Sequence, residues 1–208
     1  MVDVLVERLR DRRSRKVAFV SHCLLNENTR YLGGACRACC VREVVNDLLD
    51  RDIGIVQMPC PEQLAWGGVR KRHMLRLYGH ARAARLAGIA RAYSRFAFRR
   101  LARRIAAQIA DYVESGFTVE AVIGVDGSPS CGVATNVEIR GAVRDIAVTD
   151  PEELTIDEQN ALVRRHLAPG RGLFIEELQR ELRRRSLDVP FRAHDLIDEL
   201  DGLRSHVG

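Results

Sequence analysis

The chain has 208 residues, 46% apolar and 29% charged, with a formal net charge of +5. That length and apolar share suit one domain with its own core, and they exclude long disorder and a disulfide-dense miniprotein. No apolar run approaches the ~18 residues a membrane span needs, and the first ten residues, MVDVLVERLR, lack the uncharged core of a signal peptide.

The expected compartment is therefore the cytoplasm, where the six cysteines are thiols or metal ligands rather than disulfides. The apolar run KVAFVS at residues 16–21 predicts a buried strand. Val44, Val45, Leu48 and Leu49 recur at helical spacing within 42–51, and IGIVQM at 53–58 predicts a second strand. Residues 81–115 predict a long helix, with Gly88 as a candidate break and Gly116 as its stop. Its expected apolar stripe is Leu86, Ile89, Tyr93, Phe96, Ile105, Ile109 and Tyr112. VEAVIGV at 119–125 predicts a third strand.

Further on, Asp150-Pro151-Glu152-Glu153 has the cap, first-turn proline and acids of a helix start. Gly170-Arg171-Gly172 reads as a turn, 175–185 as a helix, and 189–193 as an edge strand, because Pro190 disfavours a central one. Strands alternating with helices predict an α/β fold, a three-layer Rossmann-like domain with a mostly parallel sheet. The expected division is an α/β core over 1–148 and an α/β extension over 149–208 packed on the same domain.

The chemistry-bearing pattern is positional. Each predicted buried strand runs into a cysteine: Ser21-His22-Cys23, Pro59-Cys60-Pro61-Glu62, and Ser128-Pro129-Ser130-Cys131-Gly132. Ligands of open α/β sheets bind at that strand edge, so parallel neighbouring strands bring three thiols to one crevice. Any one of these cysteines alone reads as an inert core residue; three at equivalent strand ends favour a shared site. Thiolates accept zinc, copper(I) or iron–sulfur groups, and gaps of 37 and 71 residues fit neither zinc-ribbon nor ferredoxin spacing.

These residues, with Arg30-Tyr31-Leu32-Gly33 and Gly67-Gly68, resemble in order the motifs of the DUF523 family, which includes bacterial thiouracil desulfidases. The resemblance covers roughly residues 16–136. It implies a [4Fe–4S] cluster held by Cys23, Cys60 and Cys131, with one iron open to substrate sulfur. It also implies catalytic roles for Glu62 and Ser128, and hence an enzyme that removes sulfur from a thio-substituted nucleobase or related small molecule.

Arg30, Tyr31, Trp66 and Arg70 are the expected substrate contacts, with Lys71 and Arg72 as further cations for an anionic group. The chain departs from the family at Leu32, at His22 and at Val69-Arg70-Lys71-Arg72, which predicts a different or larger substrate.

Two other groupings carry alternatives. Cys36, Cys39 and Cys40 could supply a fourth ligand, a sulfur relay or a second metal site, and Cys36 with Cys39 a redox pair; thiols beside the next helix are the plainer reading. Arg91, Arg95, Arg99 and Arg103 form a helical basic stripe that suits RNA or nucleotide phosphates in a metal-stabilised module without turnover; a solvated face is the plainer reading. Nucleic acid is thus the less favoured partner, no membrane partner is expected, and a homodimer is compatible with the sequence.

Overall fold

In the computed structural model, which describes residues 4–5, 8–31 and 33–196, strand β1 (Lys16–Ser21) divides its side chains between two cores. Val17 and Phe19 enter one apolar cluster and Ala18 and Val20 the other, as the period-2 geometry of a strand requires. β1 lies between β2 (Gly54–Met58) and β3 (Thr118–Asp126), and β6 (Phe191–Asp195) pairs with the far side of β3. All pairings in this four-stranded sheet, ordered β2-β1-β3-β6, are parallel. The order reverses beside β1, so the switch-point crevice opens at the C-terminal ends of the strands.

Helices cover both faces. α2 (Arg42–Asp50) places Leu48 and Val44 on one. The long α5 (Ala87–Glu114) and α8 (Leu173–Arg184) cover the other, through Phe98, Leu101, Ile105, Ile109, Phe174 and Leu178. The short helices α1 (His22–Leu25), α3 (Pro61–Ala65) and α4 (Arg72–Leu75) follow the strand ends. α6 (Ile139–Val148) and α7 (Ile156–Arg165) build a satellite core beside the small antiparallel pair β4 (Thr135–Val137) and β5 (Leu167–Pro169). No helix among the described residues is long and apolar enough to cross a membrane.

Three expectations need correction. The stretch at 81–115 divides before Gly88: a 3-10 segment spans Ala81–Leu86, and α5 runs unbroken through the glycine. Leu86, Ile89, Tyr93 and Phe96 are exposed; the buried face is Phe98, Leu101, Ala102, Ile105, Ala106 and Ile109. The buried residues belong to the cluster shared with the sheet and α8, which Leu86, Ile89, Tyr93 and Phe96 do not enter. No helix starts at Asp150, whose carboxylate accepts the Glu152 N–H in a turn. Helix α7 starts after Thr155, where Thr155 and Glu158 close a reciprocal capping box.

Candidate active site

Cys23 lies on α1, directly after β1. The following turn is held by the buried Glu27 carboxylate, which accepts the N–H groups of Cys36 and Arg37 at 2.8 Å each and pairs with Arg30 and Arg37 at 3.3 and 3.2 Å. Arg30 is thereby fixed on the cavity wall near Cys23. Cys60 ends the β2 excursion as the N-cap of α3, with Pro61 in the first turn. The N–H groups of Gln63 and Glu62 are aimed at its sulfur.

Cys131 sits in the loop after β3. There the Asp126 carboxylate accepts N–H from Val133, Ala134 and Thr135 at 2.7, 2.9 and 3.2 Å. Ser128 Oγ accepts from Ser130 N and Cys131 N at 3.3 and 3.1 Å. The entry to α8 docks on the same loop: the amides of Gly172, Leu173 and Phe174 donate to the carbonyls of Gly132, Pro129 and Ser130, each at 3.0 Å. A Cβ on Gly172 would stand 2.5 Å from the Ser130 carbonyl carbon, so only glycine permits this approach.

Cys23, Cys60 and Cys131 are free thiols lining one cavity of about 380 Å³. Burial pushes the Cys23 thiol up to about 12, against the pull of Arg30 and with a further push from Cys60 and Glu62. Burial pushes Cys60 to about 11, with Glu62 adding to the rise and the N–H of Gln63 opposing it. Cys131 is raised well above its usual range by burial and by the charges of Cys23 and Cys60. Three thiols that so resist ionising together become thiolates only where positive charge joins them.

The donor set suits an iron–sulfur group: three sulfurs on one cavity, N–H groups directed at Cys60, and the cations of Arg30 and Lys71 in the same field. Among the described residues no three His, Cys, Asp or Glu side chains are placed to hold a metal ion. The thiols face a common space rather than enclosing one ion.

Beside the thiols lies a chain of polar contacts. Ser130 Oγ donates to Glu62 Oε1 at 2.9 Å, lies 3.6 Å from Cys131 Sγ, and is 3.2 Å from Ser128 Oγ. Lys71 Nζ reaches Glu62 Oε2 at 2.6 Å. Burial opposes the Lys71 ammonium, but the charge and hydrogen bond of Glu62 outweigh it, and the Lys71 pKa is raised. Tyr31 Oη and His22 Nδ1 are buried on the cavity wall without a hydrogen-bond partner among the described residues. Burial raises the Tyr31 hydroxyl to about 12 and lowers the His22 pKa, which favours the neutral ring.

The cavity therefore gathers Cys23, Cys60, Cys131, Glu62, Ser128, Arg30, Tyr31 and Trp66. Ser128 approaches Glu62 only by way of Ser130. The Trp66 ring is pinned to α5: its indole N–H donates to Ser94 Oγ at 2.8 Å, and the ring leans on Phe98.

Arg70 is exposed and off the cavity wall, and Lys71 takes the inward place. The backbone turns at Lys71 through a left-handed conformation, φ 48° and ψ 46°, which local sequence did not signal. Ser130 was also missed as the Glu62 partner, since two serines two residues apart offer equal claims on paper.

Cys36, Cys39 and Cys40 are not among the cavity residues. Leu32 lies outside the described residues. The arginine stripe is largely taken up by α8: Arg95 bonds Glu177 and Glu176 at 2.8 Å each, Arg99 lies 3.8 Å from Glu177, and Arg103 lies 3.4 Å from Glu181.

Residues 18–186 match the family model described as 2-thiouracil desulfurase. The matched stretch holds every cavity residue named above and runs through α8, past the expected division at 148. The chain is also 26% identical over 144 residues to an uncharacterized protein of Methanocaldococcus jannaschii, covering 69% of this chain and 83% of that protein. No solved structure matches it.

Proposed function

The chain belongs to the 2-thiouracil desulfurase family, and on that premise we propose that it hydrolyses a thiocarbonyl in a nucleobase-like small molecule, with a [4Fe–4S] cluster held by Cys23, Cys60 and Cys131. The observation that carries this reading is the convergence of those cysteines with a buried, hydrogen-bonded carboxylate on one cavity at the sheet's switch point. When bound, the cluster supplies an iron without a protein ligand, a Lewis acid toward sulfur.

The protein's own groups do the rest. Water and the thiocarbonyl give a carbonyl and hydrogen sulfide, so a proton must leave the attacking water as the carbon–oxygen bond forms. Glu62 accepts that proton at Oε1. Ser130 holds Oε1 by its hydroxyl, and Lys71 holds Oε2, so the carboxylate keeps one orientation. Ser128 stabilises the turn that presents Ser130 and Cys131. Tyr31 Oη and His22 Nδ1, without a partner among the described residues, are available to a heterocycle's ring atoms. Unpaired buried polar atoms are costly, and a polar ligand removes that cost.

Anaerobic reconstitution tests the reading. Absorption and EPR spectra are expected to report a four-iron cluster in the wild type and none in Cys60→Ala. Sulfide release from 2-thiouracil is expected from the wild type, with a loss of about a hundredfold or more in Glu62→Gln. Wild-type protein that takes up no iron, or that retains its full cluster in Cys60→Ala, overturns the cluster assignment.

A further inference from the structure

The cavity has a second end that desulfuration of a bare ring does not use. Beyond the thiols it runs between α5, α6 and α7. Ile139, Ala142, Val143 and Ile146, spaced as one face of α6, line it. Leu162 and Val163 of α7 line it as well. Two of the polar groups in this annex have protein partners, and the exposed His73 stands at its edge. Gln159 accepts from the Tyr78 hydroxyl at 2.9 Å, and Ser94 accepts from Trp66 while donating to the Ala90 carbonyl at 2.8 Å. Of the two cavity atoms without a partner among the described residues, His22 Nδ1 belongs to the neighbour of Cys23, and Tyr31 Oη belongs to a ring packed against both the thiol-side cluster and the annex, where the two ends meet.

At the cavity mouth, Leu86, Ile89 and Tyr93 remain 51%, 66% and 52% exposed. Protein interiors close over apolar voids because each void forfeits contacts. A cavity of about 380 Å³ falls in the range that takes ligands of drug size, about 300–1,000 Å³.

From this two-ended lining we propose that the substrate is amphipathic: a thiocarbonyl heterocycle at the thiol end, carrying an apolar substituent of several carbons that seats between α6 and α7. This inference rests on the desulfidase reading for the head group, while the annex stands on its own walls. An unpaired cation in the annex would argue for a phosphate or sugar there. The arginines closest in sequence to its rim, Arg85, Arg91 and Arg95, are not among its lining residues.

The test is calorimetric binding to the anaerobically reconstituted protein. The probes are 2-thiouracil, its 6-methyl, 6-propyl, 6-pentyl and 6-heptyl derivatives, and the matching 6-alkyluracils, which lack sulfur. Affinity is expected to rise about fourfold per methylene in both series until the annex is full. Ala142→Phe is expected to abolish that rise while leaving 2-thiouracil binding unchanged; Ala142→Leu, a milder filling, is expected to shorten it.

A flat or falling wild-type series overturns the proposal, whatever the variants do. So does a rise that persists in full in a folded Ala142→Phe protein, because the chain then sits elsewhere. A rise across the alkyluracils with no sulfide released from any thiouracil keeps the annex and rejects the desulfidase reading. Sulfide release from 2-thiouracil with a flat series does the reverse.

Discussion

Lys71 Nζ stands 2.6 Å from Glu62 Oε2, and the two residues are only 5% and 8% exposed. A pair so withdrawn from water is tightly interdependent, because removing either partner strands a buried charge. Lys71→Met is expected to cost about 3–5 kcal/mol of stability, and Glu62→Gln a similar amount. The double variant should cost clearly less than the sum of the two. Urea unfolding midpoints of the four proteins measure this; simple additivity would mean the two groups do not interact.

Cys36 and Cys39 are exposed and Cys40 half-buried, and none of them lines the cavity. Replacing all three by serine is expected to leave the iron content of anaerobically prepared protein unchanged, whereas Cys131→Ala should remove it. Loss of iron in the triple variant would identify a fourth protein ligand and close the open iron.

The buried Glu177 carboxylate joins α8 to α5. Burial raises its pKa, but the hydrogen bonds from Arg95 and Arg180 outweigh burial, and the net direction is downward from 4.5. A carboxylate depressed in the folded state stabilises the fold above its unfolded value and loses that contribution as pH falls through the folded one. The wild type should therefore lose more stability than Glu177→Gln on going from pH 6 to the region below 4.5. Thermal midpoints of both proteins across that range decide the matter; parallel curves would show that Glu177 contributes no acid lability.

Gly172 and Gly88 predict opposite outcomes for the same substitution. Gly172→Ala drives a methyl group into the Ser130 carbonyl and should cost about 1–3 kcal/mol. That is a fall in Tm of about 2–4 °C per kcal/mol, and iron retention should drop as the Cys131 loop shifts. Gly88 lies inside α5 with open space at its Cβ position. Gly88→Ala should raise stability by about 0.4–1 kcal/mol. A calorimetric scan of each variant, with iron assays, checks both signs.

Much of the frame was legible because it is local. The strand at Lys16–Ser21 has the predicted bounds. Residues 53–58 differ from β2 by one residue at the start and 119–125 from β3 by one residue at each end, since β-branched runs bounded by turn residues leave few alternatives. The edge strand expected at 189–193 forms two residues later, as Phe191–Asp195, with Pro190 just before it lending only its carbonyl, which accepts the Val122 N–H at 2.8 Å. The helix stripe was less legible, because a periodic apolar pattern states that one face can be buried without naming the neighbour that buries it. Leu86 and Ile89 satisfy the period as well as Ile105 and Ile109 do, yet only the latter meet the sheet. The helix start read at Asp150 was displaced to Thr155, where the reciprocal Glu158 contact closes a capping box.

Sequence alone determined the α/β order, the placing of a cysteine just after each of three parallel strands, and the family to which those motifs belong. All of these depend on periodicity and turn chemistry within a few residues. Tertiary structure decided which cation turns inward, which serine touches Glu62, and that the basic stripe is largely taken up by α8. It also decided that the cavity continues past the thiols between α6 and α7. Those outcomes depend on residues tens of positions apart meeting in a low-dielectric interior, where an unpaired charge or an unmet hydrogen bond costs more than any local preference can offset.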